Sequence, residues 1–220
     1  MKKFAKILIL TLTFGFIFSG TSAFAAENLV TPLTKEEISN MPEDVMPDDV
    51  KKVMEKNAEK LENIKKGEVT PFYTTAYKGA ETSDTAYSET LGNSAMNTVY
   101  ARIDDFSFWS GYSYYKFSGW GYTGYSGTAT PSSVTSTASV KAYGVIPQIS
   151  FNGSNWSLLS ATRQIGSDSN LPGNKYARAN YSNVKITAFT GVNAIFSNAA
   201  YIKLPSGAND SWTEDTYVWF

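Results

Sequence analysis

The residues best suited to chemistry in this 220-residue chain are aromatic. Ten Phe, Trp and Tyr residues lie between Phe106 and Tyr125, interspersed with four glycines. Trp and Tyr pair a flat apolar face with a hydrogen-bonding edge, so a row of them on an exposed strand can stack on sugar rings. β-Proteins also bury such residues or pair them across strands. The candidate ligand-binding residues are Trp109, Tyr112, Tyr114, Trp120 and Tyr122.

Carboxylates are the main side chains left for acid–base catalysis, because the chain contains no His and no Cys. This composition excludes an imidazole base, a thiolate nucleophile and a His/Cys zinc site. A glycoside hydrolase needs two carboxylates that face each other across a cleft, and the spacing of the Asp and Glu residues selects no such pair. We therefore predict a non-catalytic protein without metal or cofactor, and keep a carboxylate-based hydrolase as a less favoured alternative.

A second feature runs from Ser133 to Tyr143, where small apolar residues alternate with Ser and Thr. Two-sided strands of this composition occur in proteins that insert strands into bilayers, although the same pattern describes an ordinary half-exposed strand. The alternative function is therefore a membrane-active protein, pore-forming or bacteriocin-like, in which Ala26 to Gly67 acts as a restraining prosegment.

The first 25 residues predict export. Three lysines precede an apolar stretch from Ile7 to Phe18, and Ala23-Phe24-Ala25 fits a small-x-small cleavage site. These three parts make a bacterial type of signal peptide, residues 1–25, so the mature protein should begin at Ala26 in the extracellular space, free or loosely attached to the wall. No later run reaches the length of a membrane-spanning helix, so we expect no transmembrane anchor.

Charge and cysteine content restrict the partners and the source of stability. The formal net charge is -1, so no strong positive field would recruit nucleic acid. Without cysteines, no disulfide stabilises the exported fold, and a hydrophobic core must do so.

Residues 26–67 are charged and helical in pattern. Thr34 followed by Glu37 predicts a capping box for a short helix that Pro42 ends. A second helix is expected after Pro47, with a narrow apolar stripe between Val50 and Ile64. Such a helix is marginal alone and needs a partner surface. We interpret this segment as a packed helix or spacer, with a propeptide as the alternative.

Residues 68–220 have the composition of strands and turns. Period-two alternation is clear at Val99, Ala101 and Ile103, and a hairpin is expected from Ile149 to Leu158. Eight to ten short strands without a further helical pattern predict a mainly β fold. We expect an antiparallel β-sandwich or jelly-roll-like domain preceded by a short N-terminal helical segment, with a small barrel as the alternative.

The combined expectation is a secreted module that binds carbohydrate or cell-wall glycan through surface aromatics.

Overall fold

The computed structural model describes residues 30–65, 77–151, 154–157, 162–170 and 173–219. They form two helices followed by a mainly β, antiparallel sandwich, which confirms the predicted fold class. The signal peptide and the 67/68 boundary lie outside the described residues. The elements are α1 (Lys35–Ser39), α2 (Asp48–Lys65), β1 (Glu81–Ser88), β2 (Gly92–Trp109), β3 (Tyr112–Tyr125), β4 (Ser133–Phe151), β5 (Ser154–Ser157), β6 (Thr162–Asn170), β7 (Tyr176–Lys203) and β8 (Asn209–Trp219).

Both predicted helices are confirmed. Thr34 is the N-cap of α1 and forms the expected capping box: its hydroxyl accepts from the Glu37 amide, and the Glu37 carboxylate accepts from the Thr34 amide at 2.8 Å. The hydrogen bonds that the Glu37 carboxylate accepts from the Thr34 amide and the Thr34 hydroxyl lower the pKa of Glu37. α2 begins with Asp48 and Asp49, whose negative charges are favourable at a helix N-terminus.

The eight strands form one antiparallel hydrogen-bond network that folds over into two layers. Its order is β1-β2-β3-β7-β4-β5, with β6 paired to β4 and β8 paired to β7. The 28-residue β7 pairs with β3 through its first half and with β8 through its second half. We call β1, β2, β3, the first half of β7, the end of β4 and β5 the first sheet. The second sheet contains β6, the first part of β4, the second half of β7, and β8.

The main core lies between the two sheets. Val99, Ala101 and Ile103 of β2 are at most 1% exposed, as their alternation predicts. They pack with buried side chains from both sheets, including Phe117 of β3 and Phe196 of β7. This core contains no residue of either helix among its buried members. The sandwich therefore has its own hydrophobic interior.

The helices form a third layer on the outer face of the first sheet. Their buried apolar side chains include Ile38, Met46, Val50 and Met54, and these pack against Met96 of β2. The contact extends beyond the narrow stripe predicted for α2, because α1 and the connection between the helices also contribute to it. The helices thus find the partner surface that their sequence requires.

Two further strand predictions fall within the described residues. β5 pairs with the end of β4 in antiparallel register, with Phe151 opposite Ser154, which confirms the hairpin. Its turn and Leu158 lie outside the described residues. The segment Ser133–Tyr143 lies within β4, paired with β6 on one side and with β7 on the other. Inserting this segment into a bilayer would break both ladders.

Candidate functional site

Four of the five predicted binding residues lie on one face of one strand. Tyr112, Tyr114, Trp120 and Tyr122 occupy alternate positions of β3, so they share the outer face of the first sheet. The intervening Tyr115 is buried in the core between the sheets. Trp109, the fifth, is the ladder partner of Tyr112 at the end of β2, and its side chain lies outside what the structure describes.

The helices cover Trp120 and Tyr122, which corrects the expectation of a continuous exposed row. Trp120 is 5% exposed and Tyr122 is fully buried. The Tyr122 hydroxyl donates a 2.5 Å hydrogen bond to the main-chain oxygen of Val45, between the two helices. Burial raises the pKa of the Tyr122 phenol. Neither side chain is presented to a ligand in this structure.

Polar contacts fasten the helical layer to the sheet. The Arg178 guanidinium lies 5.0 Å from the centre of the Trp120 ring and donates two hydrogen bonds to the Asp49 carboxylate of α2. The buried Asn57 of α2 accepts from the Ser83 hydroxyl at 2.8 Å and donates to Thr85 at 2.9 Å. These hydrogen bonds satisfy the Asn57 amide and the two terminal nitrogens of Arg178, whereas the buried Arg178 Nε has no hydrogen-bond partner.

The other end of the same face is open. There Tyr112 and Tyr114, together with Ser107 and Thr187, line a concavity of about 340 Å³. Tyr112 is 45% exposed, and its ring meets that of Phe189 edge to face at 5.3 Å. The pKa of Tyr114 is raised by burial and by the nearby negative charge of Asp105. We call this concavity and its four lining residues the open tyrosine site.

A tight hairpin turn positions the open tyrosine site. Ser110 and Gly111, which join β2 to β3, both have positive φ, as a two-residue hairpin loop of type I′ requires. A Cβ at Gly111 would lie 3.0 Å from the Phe189 ring, so the absence of a side chain at Gly111 also leaves room for that ring. Phe108, two residues before the turn, is 67% exposed and packs edge-on against Phe106.

The sequence patterns did not identify three residues of this region: Ser107, Thr187 and Phe189. Thr187 and Phe189 belong to β7, which pairs with β3 across more than fifty intervening residues. Period-two alternation in β7 shows which of its residues share a face, but not which strand lies beside it. Ser107 could have been found, because a hairpin turn at Ser110-Gly111 places it opposite Tyr114.

A second concavity, of about 350 Å³, lies on the second sheet. Tyr143, Ile195 and Tyr217 line it together with Asn193, Ala194 and Val218. The Asn193 amide is its one hydrogen-bonding side chain besides the two phenols. Tyr217 is 40% exposed, which makes it a matched control for Tyr112.

The structure brings two carboxyl groups together where β1 and β8 face each other. The hydroxyls of Thr82 and Thr216 are 2.6 Å apart, and the Ser88 hydroxyl donates to Asp210 at 2.5 Å. Asp84 and Glu214 lie between these two contacts along their strands. Burial, followed by the charges of Asp84 and Asp215, raises the pKa of Glu214 to about 8. Because hydrogen bonds join β1 to β8 on both sides of Asp84 and Glu214, we interpret this carboxyl pair as structural.

The pair predicts that stability falls as pH rises. A carboxyl whose pKa is 4.5 when unfolded and about 8 when folded favours the folded state below pH 4.5, and this advantage is lost as the pH rises through 8. The raised pKa of Asp84 acts in the same direction. We expect Glu214→Gln to flatten this dependence and to stabilise the protein at pH 8 by about 1–3 kcal/mol, allowing for solvent screening.

Urea unfolding at several pH values between 4.5 and 8 measures this effect. The exposed Glu89→Gln variant serves as the control and should follow the parent. A parent protein that is equally stable across this range would contradict the raised pKa.

Comparisons with known proteins give no family. No protein-family model matches the chain, and no curated protein shows significant sequence similarity to it. Within the described ranges, neither helix combines the length and apolar character needed to cross a membrane. The same residues contain no cluster of three or more acidic side chains arranged to hold a metal ion.

Proposed function

We propose that this protein is an exported, non-catalytic β-sandwich module that binds a glycan polymer at the open tyrosine site. The observation that carries the proposal is the pair formed by the exposed Tyr112 and the half-buried Tyr114, which line a concavity with hydroxyl groups at its edge. Export is supported by the complete signal-peptide pattern of residues 1–25.

The chemistry of the open tyrosine site suits sugars. The two rings stand two residues apart on one strand, about 7 Å, and offer flat apolar faces to the C–H surface of a sugar ring. The hydroxyls of Ser107 and Thr187 can each donate and accept a hydrogen bond with sugar hydroxyls. A volume of about 340 Å³ lies at the small end of ligand pockets. These features favour one or two sugar units of a longer polymer.

Binding to insoluble and soluble glycans tests the proposal. We expect Tyr112→Ala and Tyr114→Ala each to weaken binding about tenfold or more, as loss of a central aromatic contact typically does. Tyr217→Ala removes a similarly exposed ring from the second concavity and should bind like the parent.

Two results would contradict the proposal. If both tyrosine variants bind as tightly as the parent, the open tyrosine site is not used. Release of reducing sugars from the bound glycan would instead indicate a hydrolase, and Glu214→Gln would then identify whether the carboxyl pair is responsible.

A membrane-active protein is the second candidate, favoured by the exposure of Phe108. This side chain projects 67% of its surface into solvent at the tip of the β2–β3 hairpin, and aromatic rings favour the membrane–water interface. Dye release from liposomes that Phe108→Ser abolishes would support this candidate. Glycan binding without dye release would exclude it.

A further inference from the structure

Two lysines lie beside the open tyrosine site. Lys116 of β3 and Lys185 of β7 are directly opposite each other in the ladder, two positions from Tyr114 and Thr187. The period of two places them on the same outer face as the tyrosines, about 7 Å further along the strands. Lys185 is exposed and Lys116 is half-buried.

The strands that carry these lysines, β3 and β7, and the neighbouring β4 supply no negative charge to balance them. The sequences of β3, β4 and β7 contain no Asp or Glu. Like charges directly opposite in a ladder are unfavourable, so this arrangement costs stability unless an anion offsets it. On the covered half, by contrast, the sheet is joined to α2 by the ion pairs Arg178–Asp49 and Lys56–Glu81.

The neighbouring strand β2 supplies charges of both signs. Asp105 is the ladder partner of Lys116, and the Asp104 carboxylate accepts a hydrogen bond from Ser118 at 2.8 Å. Arg102, opposite Ser118, is exposed and has Glu81 of β1 as its other ladder partner. Within the described part of the chain, no ion pair shorter than 4.0 Å includes Lys116 or Lys185. The outward-facing row next to the tyrosines, formed by Asp105, Lys116 and Lys185, therefore carries one more positive than negative charge.

We infer that the glycan bound here is a polyanion, whose carboxylate or phosphate groups contact Lys116 and Lys185 while a neighbouring sugar ring stacks on Tyr112 or Tyr114. This inference rests on the proposed function and narrows its ligand class. It gives a role to the two lysines that stand opposite each other beside an aromatic concavity. A neutral polymer would leave Lys185 without a charge of opposite sign beside it, because its ladder partners are Lys116 and Ser150.

A matched pair of polymers tests the role of charge. Polygalacturonate and its fully methyl-esterified form share the same sugar ring but differ in charge. Gram-positive cell walls before and after removal of their phosphate polymers by hydrofluoric acid provide the phosphate counterpart. We expect the parent protein to bind the charged member of at least one pair about tenfold more tightly, and to lose this preference between about 50 and 500 mM salt because salt screens exposed charges.

Variants at Lys116 and Lys185 show whether these lysines cause the preference for the charged polymer. We expect the double variant Lys116→Gln, Lys185→Gln to lose the preference for the charged polymer while its affinity for the neutral member stays unchanged. Lys203→Gln removes an exposed lysine from the far end of β7 and should behave like the parent.

The outcomes separate this inference from the proposed function. Equal, salt-insensitive binding to the charged and neutral members of both pairs would overturn the polyanion and leave glycan binding intact. A charge preference that survives in the double variant would overturn the assignment to these lysines. Binding to none of the four probes would overturn both.

Discussion

A chain that lacks residues 26–67 should still unfold cooperatively, but with a free energy of unfolding about 2–5 kcal/mol lower than that of the longer protein. The core between the two sheets has no helix residue among its buried members, so it can form without the helices. The loss of stability arises because Met96, Trp120 and Tyr122 become exposed on the outer face. The cost of ordering the segment disappears as well and limits the loss.

Urea unfolding and the binding of a hydrophobic dye measure this effect. The truncated protein should bind the dye, since a contiguous aromatic patch is uncovered. Asp49→Asn in the longer chain is the control, because it breaks only the partly exposed contact with Arg178 and should cost less than about 1 kcal/mol. If the truncated chain shows no cooperative transition, the helices belong to the folding core.

Asn198→Ala should destabilise the protein by about 3–5 kcal/mol, because it removes the centre of a buried polar network and leaves a cavity. Its side-chain amide donates to the Asn97 side chain at 2.7 Å, and its oxygen accepts from the Ser136 hydroxyl at 2.9 Å. These bonds link β7 to β2 across the core and to its ladder neighbour β4. A Cβ at Gly121 would lie 2.1 Å from the Asn198 side-chain oxygen, so glycine there makes room for the network.

The exposed Asn180 on the same strand provides the matched control. Asn180→Ala should change the free energy of unfolding by no more than about 0.5 kcal/mol, as surface substitutions usually do. If Asn198→Ala costs less than about 1 kcal/mol in urea unfolding, the network contributes specificity rather than stability and the assignment fails.

Local patterns predicted the elements well because their causes are local. The capping box at Thr34 and Glu37 and the alternation at Val99, Ala101 and Ile103 each depend on neighbours in sequence, and all are confirmed. The described residues contain eight strands, within the expected eight to ten, but several are longer than the short strands expected. β4 and β7 span 19 and 28 residues because each takes part in both sheets, which no turn signal within them reveals.

The candidate site was only partly predictable, because alternation identifies a shared face and not what covers it. Tyr112, Tyr114, Trp120 and Tyr122 share a face as their spacing predicts, yet the helices bury the last two. Two observations together pointed to this burial. The helix α2 needed a partner surface, and the stretch around Trp120 was the most aromatic one in the chain. The pairing of β3 with β7, which brings Thr187 and Lys185 to the site, depends on long-range contacts.

NMR of the tyrosine rings during addition of the bound glycan tests the open tyrosine site most directly. If the glycan binds there, the ring signals of Tyr112 and Tyr114 shift as it is added. The signals of Tyr115, buried between the sheets, and of Tyr122, buried under the helices, should stay in place. Glycan binding that leaves Tyr112 and Tyr114 unchanged, or that shifts Tyr122 instead, would contradict the assignment of the open tyrosine site.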